Sequence, residues 1–102
     1  MDMLIGSSTT GKGVAVSVQV TLNARERNRL FLSGDVLLTL PSEGAVDLPD
    51  GVPLERTSMF LSELAGNRQG ITRVFADARS ADRFDAEVRA QLQAIDRQWS
   101  ST

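Results

Sequence analysis

The stretch GVAVSVQVTL, residues 13–22, alternates almost without fault: Val14, Val16, Val18, Val20 and Leu22 are separated by Ala15, Ser17, Gln19 and Thr21. Successive side chains of an extended backbone point to opposite faces, so this spacing predicts a β-strand with one buried side. Valine, branched at Cβ, suits a pleated surface. A strand of this kind needs neighbours along its edges and a covering layer over its apolar face. The rest of the chain has to supply both.

The covering layer is legible at the C-terminus. Phe84, Val88, Leu92, Ile95 and Trp99 follow one another at spacings of four, four, three and four, which predicts a helix with a narrow apolar stripe, capped by Ser80. Arg83 with Glu87 and Asp85 with Arg89 stand one turn apart on its polar side, pairs worth only ~0.2–0.5 kcal/mol each. A second strand is expected at 71–76, with Ile71 and Phe75 on one face and Val74 and Ala76 on the other. Apolar residues on both faces place it centrally.

Between these elements, NARERNRLFLSGDVLLTL at 23–40 admits two structures. As strands, Leu30–Leu32 and Val36–Leu40 flank Ser33-Gly34-Asp35, a hairpin turn that glycine makes accessible. As a helix, Asn23 caps residues 24–33, Glu26 completes a capping box and Gly34 closes the end. The apolar residues bunch at 30–32 and form no long stripe, which favours the strands. The segment 41–53 holds all three prolines and a Pro-Asp-Gly turn, and is expected to be a surface connection with the length of a binding loop or lid. Leu54–Ala65 is expected to be a helix with Leu54, Ser58, Leu61 and Ala65 on one stripe and Met59, Phe60 and Leu64 widening it, stopped by Gly66-Asn67. The fold class is α+β: a two-layer sandwich of a small antiparallel or mixed sheet of about four strands with two helices, the C-terminal helix packed on the sheet.

Upstream of the first strand stands GSSTTGKG, residues 6–13. Its spacing fits a phosphate-binding loop until the last position, where Gly13 replaces the Ser or Thr that would hold magnesium. Such a loop also needs a strand to deliver it and a helix to follow it, and the segment after it alternates like a strand. Gly11 and Lys12 are therefore disfavoured as a nucleotide site. Residues 1–12 are expected to be a flexible leader, 13–99 the folded domain and 100–102 a frayed end.

Composition narrows the function. The 102 residues include no His and no Cys. This removes the commonest general base near neutral pH, the usual zinc ligands and the Ser-His and Cys-His nucleophile pairs. The acidic residues Asp77, Asp82, Asp85 and Glu87 lie beside arginines at helix-surface spacing, so a solvated face is expected where a catalytic carboxylate pair would need burial. The chain is expected to be no enzyme and to need no cofactor or metal. No apolar run approaches the ~20 residues of a membrane-spanning helix, and Met3-Leu4-Ile5 is too short for a signal peptide, so a cytoplasmic address is expected.

Ten arginines accompany one lysine at a net charge of −2, a ratio that codon bias in a GC-rich genome explains. Two places could still recognise anions. Arg25, Arg27 and Arg29, if extended, project to one face at ~6.6–6.8 Å intervals, near the spacing of phosphates along a strand. Arg73 sits within the apolar strand 71–76, where a buried guanidinium needs a carboxylate or a ligand anion; the ordinary alternative is a buried stem at a sheet margin with a wet head. The expected function is a small non-catalytic protein-interaction or regulatory module, with an unknown protein partner or a second copy as its ligand. It would use an exposed sheet edge or the 41–53 loop. The alternative is an anion or nucleic-acid binder using Arg25, Arg27 and Arg29, which the acidic balance disfavours.

Overall fold

The computed structural model describes residues 1–47, 49 and 56–100. The 13–22 alternation is strand β2, Gly13–Thr21. Val16, Val18 and Val20 are buried on one face while Ser17 and Thr21 are exposed on the other. On one side it pairs antiparallel with β1, Asp2–Thr10, and on the other with β6, Ile71–Phe75. Beyond β6 lies β4, Ala45–Asp47, so the main sheet runs β1-β2-β6-β4, antiparallel throughout. A second, two-stranded sheet joins β3, Leu37–Thr39, to β5, Ser58–Phe60.

Residues 1–12 are thus no leader. β1 pairs residue for residue with β2, from Asp2 opposite Thr21 to Thr10 opposite Gly13, and Gly11-Lys12 is the turn. Met3 and Ile5 point to the core face and are half-buried against the core, whereas Gly6 to Thr10 are exposed on both faces. A Ser/Thr run without a buried side carries no burial pattern. Its backbone bonds to β2 hold it instead.

Residues 24–33 are a helix, α1, Ala24–Ser33, and not the arm of a hairpin. Asn23 Oδ1 accepts from Glu26 N at 2.8 Å and Glu26 Oε1 accepts from Asn23 N at 3.0 Å, so the capping box satisfies donors at the helix start. The helix buries only Leu30 and leaves Phe31 and Leu32 87% and 79% exposed. The missing stripe is real, and the cap outweighs it. Val36–Leu40 does contribute a strand, β3, but its partner is β5.

That pairing also shortens the next expected helix. Ser58–Phe60 is extended, Met59 is buried, and α2 spans only Leu61–Gly66. Asp35 anchors it by accepting from Ser62 N at 3.2 Å and from the Ser62 hydroxyl, while Leu61 N donates to Val36 O at 2.8 Å. Leu54 and Glu55 lie outside the described residues. So do 48 and 50–53 of the expected loop, whose first half holds β4.

α3, Ala78–Ser100, lies across the main sheet and buries Ala81, Phe84, Val88, Leu92 and Ile95 against Val16, Val18, Ile71 and Phe75. The Phe75 and Phe84 rings meet at 5.2 Å, tilted by 42°. Ser80 lies inside the helix; the cap is Asp77, whose Oδ1 accepts from Ser80 N at 2.8 Å. These bonds to Ser80 hold the Asp77 carboxyl below its ordinary value. Residue 100 continues the helix, with Ser100 Oγ donating to Asp96 O, and 101–102 lie outside the described residues. No described helix is long and apolar enough to cross a membrane.

Candidate functional site

The helical form of 24–33 dissolves the expected arginine stripe. Arg25 and Arg29 stand one turn apart, and Arg27 projects to another side of α1. Arg27 Nη1 donates to Leu22 O at 3.2 Å, and the Arg29 guanidinium lies 5.9 Å from the Trp99 ring centre with Nη1 near Trp99 O at 3.5 Å. Two of the three therefore tie α1 to the rest of the domain. Glu26, on the same helix, is pushed up by partial burial, but the bonds from the Met1 ammonium and Asn23 N outweigh this and hold it below the ordinary carboxylate value.

Arg73 is buried completely, in the central strand and on the core face with Ile71 and Phe75, opposite Val16. The wet head at a sheet margin is overturned. Its Nη1 donates to Ser42 Oγ at 2.7 Å, linking the central strand to the approach to β4. Gly11 and Lys12 form the β1–β2 turn, Lys12 Nζ pairs with Asp47 Oδ2 at 2.9 Å, and a strand follows them. Gly13 is required for another reason: its φ is +145°, and a Cβ there would overlap the carbonyl of Phe75. The position that departs from the phosphate-loop pattern is one where β2 meets β6 too closely for a side chain.

Chemistry-bearing side chains are otherwise spread thinly. Among the described residues no group of three or more Asp or Glu is placed to hold a metal ion. The surface ion pairs, Arg56–Glu63 at 2.6 Å, Arg83–Glu43 at 2.9 Å and Arg89–Asp85 at 2.9 Å, join neighbouring elements or helix turns. Searches of family models, of curated proteins and of solved structures find no match to this chain.

Two features were invisible in the sequence. The first is a groove of about 520 Å³ between α1 and α2, lined by Leu22, Leu30, Phe31 and Ala65 together with the charged Arg27 and Asp35. The second is the outer edge of β1. A Cβ on Gly70 would overlap the carbonyl of Val18, as one on Gly13 would that of Phe75. These carbonyls place Val14, Val16 and Val18 in the hydrogen-bonded pairs with β6. The odd residues of β2 therefore bond to β1, through its even ones. Met3, Ile5, Ser7 and Thr9 turn their N–H and C=O groups outward, and among the described residues no strand covers them. This edge lies within the segment 1–12 expected to be a flexible leader.

Proposed function

We propose that this chain is a small, non-catalytic protein-interaction module of the cytoplasm that binds by accepting a strand on the free edge of β1. One observation carries this: a nine-residue edge strand in unbroken register with β2, without proline or bulge, and with Asp2 as its single charge. Edge strands that must stay solitary are usually short, charged, bulged or covered, because unpaired backbone groups recruit any extended segment. Among the described residues no strand covers β1, and past Asp2 it carries no charge, proline or bulge; strand addition uses that arrangement for recognition. The arginine alternative lacks the same support, since α1 carries its residues to different sides. Ser7→Pro tests the proposal, because it removes an outward N–H and leaves the bonds to β2 in place. Hydrogen exchange of the isolated monomer, at dilutions where nothing occupies the edge, should find the amides of Met3, Ile5, Ser7 and Thr9 fast and those of Leu4, Gly6 and Ser8 protected. Proteins captured from a native lysate by the parent chain should be lost with Ser7→Pro. Equal capture by both would overturn the proposal.

A further inference from the structure

We infer that the strand β1 accepts is β1 of a second copy, antiparallel and centred on Gly6, so that two domains share one eight-stranded sheet. This rests on the strand-accepting edge proposed above and names its occupant. Three observations single out the copy. Centring on Gly6 sets Met3 opposite Thr9 and Ile5 opposite Ser7, so that all four outward-facing residues of each edge fall in hydrogen-bonded pairs, about eight bonds in all. Centring on Leu4 would leave Thr9 unpaired.

Charge is the second. Asp2 is the only ionised side chain on the strand, and it would face Thr10 of the other copy, so no like charges oppose one another. The third is the unequal cover of the core face. Met3 and Ile5 pack against the core, whereas Ser7 and Thr9 are bare. The two-fold puts the covered half of each strand beside the bare half of the other, so the helical layers sit diagonally. Gly6, on the axis, has nothing within 4 Å of where a Cβ would stand.

That open position supplies the test. The two Gly6 Cα atoms form a non-hydrogen-bonded pair about 4.5 Å apart, within the span of a disulfide, whereas two Leu4 Cα atoms would lie roughly 13–14 Å apart along the strands. The chain has no cysteine, so Gly6→Cys and Leu4→Cys each carry one thiol. Expected are a dimer in sedimentation equilibrium of the parent protein, rapid oxidative cross-linking of Gly6→Cys, and little of Leu4→Cys. Ser7→Glu, which brings two carboxylates into diagonal positions beside Ile5, should weaken the dimer by about tenfold or more. Circular dichroism of Ser7→Pro and Ser7→Glu checks that each still folds. A parent protein that stays monomeric at millimolar concentration, while Ser7-dependent capture of another protein persists, overturns the copy and keeps the strand-accepting edge. A dimer that neither Ser7 variant weakens and Gly6→Cys fails to cross-link overturns both.

Discussion

Gly13→Ser completes the phosphate-loop spelling, GSSTTGKS, and is expected to damage the protein without conferring nucleotide binding. Two costs add at this position. A non-glycine residue held at φ +145° carries backbone strain of order 1–3 kcal/mol. Its Cβ would also lie within the Phe75 carbonyl, which belongs to the central strand and cannot rotate away as a side chain would, so β2 and β6 must part locally at about 1–3 kcal/mol more. The sum, about 2–6 kcal/mol, is large against the 5–15 kcal/mol that typically separates folded from unfolded domains. At roughly 4–8 °C per kcal/mol, the melting temperature should fall by at least ~8 °C. Urea denaturation measures the free energy directly, with Gly11→Ser as the comparison. Gly11 has open space around it and no positive φ, so that change should stay within about 0.5 kcal/mol. If Gly13→Ser matches Gly11→Ser in stability, or if magnesium-ATP raises its melting temperature, the account of the β2–β6 contact is wrong.

Asn23→Ala removes the first bond of the capping box and should cost about 1 kcal/mol in urea denaturation, with loss of α1 helicity by NMR secondary shifts. Phe84→Ala, at a fully buried position against Phe75, should cost about 3–5 kcal/mol by the same assay. Phe31→Ser is expected to leave stability within about 0.5 kcal/mol of the parent, because the ring is 87% exposed; an appreciable loss in denaturation would place that ring in the core after all. Glu26 has a folded-state value below its ordinary 4.5, so its contribution is present above that value and is lost as pH falls through the lower one. Glu26→Gln should therefore flatten the acid limb of a stability–pH curve measured between about pH 5 and 2.

What the sequence disclosed was the buried part of the fold. β2, β6 and α3 each bury a stripe, and burial imposes a period that can be read without knowing the partner. The remainder is held by other forces. β1 past Ile5 has no buried face, so its Ser/Thr run looks like a solvated tail although β2 pairs with all of it. α1 is fixed by a cap, by one buried leucine and by arginines bonded to Leu22 and Trp99, none of which produces a stripe. β5 takes its form from β3 across the second sheet, where long-range pairing overrides the local helical preference of 54–65. The shared face expected of Arg25, Arg27 and Arg29 is missing for a related reason: it existed only in an extended backbone, and 24–33 is a helix. Arg73 was correctly placed in an apolar strand, but which face it took depended on registers that no single segment carries.

Trp99 is the chain's only tryptophan, and it sits half-buried at the far end of α3, beside the guanidinium of Arg29. Indole emission will consequently report the seam where the last helical turn meets α1, and it will be nearly blind to the hairpin and the sheet. Ellipticity in the far ultraviolet reports all of them at once. Superimposable melting curves from the two signals would show that seam and sheet come apart in a single cooperative step, while an earlier fluorescence transition would show the α1–α3 corner opening first.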